Sequence, residues 1–334
     1  MTRSQKRIFN QLLIFLIILA LLLTIALLIR RRTDAADAAG DSNANTSQTA
    51  QTQIPTITAL SWNNSDTFLS FSAGEDGAWQ WDGDKDFPLD TSLLDEIGKA
   101  LSPIQPVKTI AAGDALSAYG LENSSLVLTV GYQDGTVLKL TFGTQVPGGT
   151  DYYMLQGDDA TTVYVVGSTV PDAMDTAVYD MMVLPELPTM ESISSISLKN
   201  AGKSLLATSV DGTTWLCNNT DISGSQQLTK LVDTLSTLTL DRCENFKPSH
   251  DGLALWGMEV PGVIVEVYFD EDQLLTLQIG NQTLDGSGYY VRVNDDTTIY
   301  SIDTHSLEPI ITAAQQGFVS DPAASAAAAS SAQN

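Results

Sequence analysis

Three hydrophobic patterns succeed one another along the chain. The first is unbroken. Leu12 to Ile29 is 18 residues with one Thr and no charge, and Ile8 and Phe9 extend the segment to residues 8–29. At 1.5 Å rise per residue, a helix of this length spans a hydrocarbon core of about 30 Å. The second pattern is alternation. "TFLSFSA" and "SLLATSV" read as strands, each followed by a turn and a short strand carrying Trp. "LVLTVGY-QDG-TVLKLTFG" reads as a hairpin whose "DG" provides the positive φ of a tight turn, with Leu126, Leu128 and Val130 on one face. "DYYML" and "TTVYVV" form another, joined by "QGDDA". The third pattern has helical spacing. Leu89, Leu93, Leu94, Ile97 and Leu101 fall on one helix face, as do Leu228, Leu231, Val232, Leu235 and Leu238. Short helices are predicted near 171–177 and 305–314.

The patterns recur. Tyr119-Gly120-Leu121 matches Trp256-Gly257-Met258 at an offset of 137, and Gly143 with Gly280 and Tyr152-Tyr153 with Tyr289-Tyr290 keep that offset. "DGAW" (76–79) matches "DGTTW" (211–215), "TVYVV" (162–166) matches "TIYSI" (298–302), and "ITAL" (57–60) matches "ISSI" (193–196). Two copies are a duplicated domain rather than a solenoid. The expected class is α+β: two tandem copies of a mainly antiparallel sheet unit with one amphipathic helix each, behind a single N-terminal transmembrane helix. The expected boundaries are a basic segment at 1–7, a transmembrane helix at 8–29, a flexible linker at 30–54, repeats at 55–187 and 188–314, and a disordered Ala/Ser-rich tail at 315–334. Gly120 and Gly257 are expected in turns before the first hairpin strand. Gly143 and Gly280 are expected to end the second.

The apolar run is too long for a signal peptide, and three arginines follow it. Arg3, Lys6 and Arg7 before the run balance Arg30, Arg31 and Arg32 after it, so the positive-inside rule nearly ties. The low-complexity spacer, the scarcity of cysteine and the acidic, strand-rich body favour a single-pass plasma-membrane protein with an extracytoplasmic body. From Pro55 to Thr312 there are 36 Asp and Glu against 10 Lys and Arg, a net charge of −26. Such a surface repels nucleic acid and suits solubility or a basic partner.

The "YGL", hairpin, "G…YY" and "VY" pattern, preceded by a "DG–W" strand and a helix, resembles the bacterial domain-of-unknown-function family 4340 over most of Ile57 to Ile310. The second copy departs from that pattern in having Trp256-Gly257-Met258. The resemblance implies a membrane-anchored or exported protein without assigned activity, often a companion of gliding-motility-type ABC transporters. It transfers no catalytic residue.

Candidate chemistry is sparse. Asp82, Asp84 and Asp86 alternate as in calcium loops, but Phe87 and Leu93 occupy the positions where an EF-hand needs Gly and Glu. A solvated acidic turn is the simpler reading. "DED" at 270–272 reads as a charged hairpin turn. Tyr152, Tyr153, Tyr289 and Tyr290 are candidate binding-face aromatics; adjacent strand residues face opposite ways, so one of each pair belongs to the core. The five tryptophans pose the same choice, and core is the commoner outcome. Cys217 and Cys243 either pair or are small buried hydrophobes. No spacing supports Cys217 with His250 as a dyad, and "GxSxG", "HExxH" and "GxxxxGK" are all missing. The expectation is therefore a non-catalytic binding or accessory protein without cofactor, tethered to the membrane by its N-terminal helix, with ABC-transporter subunits as the partners the resemblance suggests and no nucleic acid. The alternatives are an envelope-polymer-modifying enzyme with its site between the repeats, or a self-associating spacer. The sequence sets no oligomeric state.

Overall fold

A computed structural model describes residues 55–64, 67–111, 115–270 and 273–318. The predicted transmembrane helix at 8–29 and the linker at 30–54 lie outside them. Among the described residues no helix is long and apolar enough to cross a membrane. The chain forms two compact units. The division falls between Asp175 and Thr176 rather than at 187/188, and the second unit also takes in Asp86–Thr91.

The first unit runs β1 (Ile57–Asn64), β2 (Thr67–Ala73), β3 (Trp79–Trp81), α1 (Ser92–Leu101), β4 (Lys108–Ala111), a 3-10 turn (Leu116–Tyr119), β5 (Val127–Tyr132), β6 (Val137–Gln145), β7 (Tyr152–Gln156), β8 (Thr162–Val166) and α2 (Thr169–Ala173). Its strands form one sheet in the order β3-β2-β1-β5-β6-β7-β8-β4. Alternation selects the face. Leu60 and Trp62 of β1, Leu69 and Phe71 of β2, and Leu128 and Val130 of β5 are all buried, while the residues between them are more exposed. Fully burying a side chain of this size stabilises by about 1.5–3 kcal/mol. The Trp62 indole donates to the Met174 carbonyl just past α2 at 3.0 Å and its ring lies 5.1 Å from that of Phe71. Leu94, Ile97 and Leu101 give α1 its buried stripe.

The second unit repeats this element for element: β9 (Ile193–Asn200), β10 (Lys203–Ser209), β11 (Trp215–Cys217), an added β12 (Thr220–Asp221), α3 (Gln226–Thr237), β13 (Arg242–Asn245), a 3-10 turn (His250–Gly252), β14 (Val263–Phe269), β15 (Gln273–Gln282), β16 (Gly288–Val293), β17 (Ile299–Asp303) and α4 (Thr304–Gln316). The order β12-β11-β10-β9-β14-β15-β16-β17-β13 reproduces the first sheet with one short strand added. All the strand pairings described in both sheets are antiparallel. This is the mixed α+β, mainly antiparallel architecture that the pattern predicts. Ser225 caps α3 by accepting from the Leu228 amide, and Asp303 caps α4 by accepting from Ser306. The last helix runs to Gln316, into the predicted tail.

Leu89 does not join the first helix. Helix α1 starts at Ser92, and Leu89 pairs instead with Met182 of the second unit. The segment Asp86–Thr91 is strapped there. The Asp90 amide donates to the Met181 carbonyl and the Val183 amide to the Pro88 carbonyl, each at 2.7 Å. The Phe87 ring sits edge-on to Phe246 at 5.2 Å and tilted to Tyr179 at 6.2 Å. Helical spacing of apolar residues is a local signal. The backbone bonds and the Phe87 contacts of the strap override it here, as tertiary context commonly overrides local helical tendency.

Candidate functional site

The duplicated motif closes a clasp in each unit. In the first, the turn Leu116–Tyr119 ends at Gly120, in the left-handed region at φ +70°. Its Tyr119 ring packs edge-on against Tyr153 at 4.9 Å, over a small cluster of Leu121, Leu155 and Val163. In the second, Trp256 meets Tyr290 edge-on at 4.6 Å, over Met258, Tyr290 and Ile299. Such pairs contribute about 0.5–1.5 kcal/mol beyond their buried area. Gly143 and Gly280 allow the close approach: a Cβ on either would lie 2.1 Å from the carbonyl oxygen of Tyr119 or Trp256. Neither glycine ends its strand. Both sit within register shifts, between Phe142 and Gln145 and between Ile279 and Gln282, and the strands continue to Gln145 and Gln282.

The tyrosine pairs divide accordingly. Tyr153 and Tyr290 pack in the clasps. Tyr152 is half-buried with its hydroxyl accepting from the Gln145 amide at 3.1 Å, and Tyr289 is half-buried in β16. These four residues form no shared face within either sheet. The alternating aspartates also separate in their partners. Both Asp82 oxygens accept, from the Ser70 and Ser72 hydroxyls at 2.6 Å, and Asp86 pairs with Lys247 at 2.9 Å. Among the described residues no group of three or more His, Cys, Asp or Glu could hold a metal ion. Asp270 is more than a charged turn. Its carboxylate accepts from the Glu191 and Ser192 amides and the Ser192 hydroxyl, which hold its pKa below the usual range. Cys217 and Cys243 are free and buried, and burial pushes the Cys243 thiol up to about 12. Trp62 and Trp215 are buried, and Trp79, Trp81 and Trp256 half-buried.

A cleft that the sequence does not reveal gathers several carboxylates. It lies in the second unit, has a volume of about 490 Å³, and is lined by residues that include Asp241, Arg242, Glu244, Asp285, Tyr290 and Ser301. Strand β13 carries an irregularity between Cys243 and Asn245, with Glu244 as the extra residue. A bulge of this kind re-aims a side chain. Glu244 accepts from the buried Ser301 hydroxyl at 2.8 Å. Asp241 accepts from the Asp303 amide at 2.7 Å. Asp285 is held by Thr283 and Ser287, which lower its pKa to about 2. Arg242 pairs with Asp180 at 2.7 Å. The equivalent strand pair of the first unit, β4 with β8, carries different side chains. By strand register, Arg242 corresponds to Lys108 and Ser301 to Val165, and Glu244 has no counterpart. The signals available were "LDRCEN" and a serine in the strand "TIYSI"; neither reveals that tertiary pairing brings them together.

The geometry defines a class: a duplicated antiparallel α+β protein whose copies share a packing clasp and differ in the side chains of one equivalent strand pair, β4–β8 and β13–β17. The chain matches the family model described as Domain of unknown function (DUF4340) over residues 79–227 and again over 218–316, and it belongs to that family. The first match starts at β3 and continues through β12, so its limits are offset from those of the two sheets. No curated protein and no solved structure matches the chain.

Proposed function

We propose that this chain is a membrane-anchored, extracytoplasmic, non-catalytic accessory protein whose duplicated body binds a partner protein, with an ABC-transporter subunit as the partner class the family resemblance suggests. One observation carries the reading. The residues repeated between the copies, Tyr119 with Trp256, Tyr153 with Tyr290, and the four glycines, lock turns onto sheets. Repetition thus marks scaffold, which leaves recognition to the surfaces in which the copies differ. The apolar run at 8–29 supports the anchor, and the acidic body supports a position outside the cytoplasm. The cleft's carboxylates all accept hydrogen bonds from their own unit, which favours binding over turnover. Each sheet ends in strands of four residues or fewer, and short edges work against self-association through sheet pairing.

The test is a mild-detergent pull-down of the tagged full-length protein from its native membrane, read by mass spectrometry against a chain lacking residues 55–314. Enrichment of a transporter permease or ATPase only when the body is present supports the reading. A clean result with no partner overturns it.

A further inference from the structure

The two sheets treat one equivalent edge differently. In the second unit β13 is the last strand, and the 3-10 turn Val178–Met181 packs along it. Asp180 of that turn pairs with Arg242. The Tyr179 phenol takes a backbone hydrogen bond from Phe246, and Met181 and Met182 are buried. The edge is thus closed by a short segment reading Val-Tyr-Asp-Met-Met.

In the first unit β4 is the last strand of the sheet and, among the described residues, pairs only with β8. Val107 is 68% exposed, and Lys108, Thr109 and Ala111 are exposed. Ile110 alone turns inward, onto the cluster under Tyr119. Lys108 occupies the place of Arg242, because Val165 and Ser301 are the equivalent partners across the next strand. Among the described residues Lys108 makes no ion pair. An edge lysine can simply discourage strand pairing. In the other copy, however, the cation at this position is half of a closing contact.

We propose that the β4 edge with Lys108 is a docking surface for a segment of a partner protein that carries a carboxylate flanked by aromatic and methionine or leucine side chains. The segment packs along the edge as Val178–Met181 does along β13, and edge strands are common seats for peptide segments. Two other occupants fit less well. At the same 137-residue spacing, the chain's own residues 39–46 read "AGDSNANT", with no aromatic and no large aliphatic side chain. In a second copy of the chain, Val178–Met181 is already engaged in its own unit. The inference rests on the accessory reading and names its surface.

The experiment uses the full-length protein in detergent micelles and a fluorescein-labelled peptide, TAVYDMMVLP, copied from residues 176–185. Fluorescence anisotropy should show saturable binding, and Lys108→Glu should weaken it at least tenfold. A peptide with Lys in place of its Asp should recover binding to the Lys108→Glu protein. Lys108 is exposed, so thermal melts of that variant should match the parent. Absence of saturable binding, or binding unchanged by Lys108→Glu, overturns the inference. If the pull-down recovers a partner while the peptide fails, the β4 surface falls and the accessory reading stands. If the peptide binds and the pull-down is empty, the accessory reading falls and the docking chemistry of the edge stands.

Discussion

A Cβ on Gly143 would meet the Tyr119 carbonyl at 2.1 Å, and one on Gly280 the Trp256 carbonyl at the same distance. Backbone atoms give way poorly, so Gly143→Ala should destabilise the protein by about 1–3 kcal/mol, the usual cost of overpacking. Gly98, within α1, has open space around its Cβ position. Gly98→Ala should therefore stabilise by about 0.5–1 kcal/mol through helix propensity. Urea midpoints of the two variants should move in opposite directions. Equal shifts would show that the clasp does not depend on the close approach. The sequence exposed these glycines through their repetition at one spacing. It did not show what they touch, because the Tyr119 carbonyl and Gly143 meet only once the turn folds over the sheet.

At the level of elements, the strap Asp86–Thr91 packs into the second unit's own core. Phe87 is 5% exposed between Tyr179 and Phe246. Truncating a buried aromatic side chain costs about 3–5 kcal/mol in a well-packed site. Phe87→Ala should accordingly speed amide hydrogen exchange in β13 and in residues 178–183, while amides of β5 and β6 keep their protection. Uniform loss across both sheets would contradict the assignment of the strap to the second unit. Most elements were legible: period-2 alternation located the hairpins of both copies, and helical spacing located α1 and α3. Leu89 was the exception, since its spacing fits a helix while its partner, Met182, lies far along the chain. The cleft was equally hidden. Glu244 and Ser301 are 57 residues apart in sequence, and only the pairing of β13 with β17 joins them.

For the whole molecule, part of the acidity is turn chemistry. Asp134, Asp159, Asp211, Asp221 and Asp285 each accept from a Ser or Thr two residues on, the Asx-turn arrangement. Side-chain and backbone hydrogen bonds hold all five below the usual carboxylate pKa, with Asp211 and Asp285 at about 2. A carboxyl whose pKa is lower folded than unfolded binds fewer protons in the native state. The stability it contributes is complete above its unfolded value, near 4, and is lost as pH falls through its folded value. Thermal midpoints should therefore fall between about pH 4 and pH 2. The double variant Asp211→Asn, Asp285→Asn should show a shallower fall over that window. An identical acid profile would mean the turns do not couple to folding.

By itself the sequence determined the duplication, the α+β class, the strand and helix periods and the family. These are encoded in local alternation and in repeats at fixed spacing, which survive without knowledge of contacts. Tertiary structure alone decided that Asp86–Thr91 belongs with the second unit, that Tyr153 and Tyr290 pack within clasps, that Glu244 meets Ser301, and that Val178–Met181 covers the β13 edge. Each of these depends on groups far apart along the chain, and side-chain periodicity carries no information about which distant strand or turn a residue will face.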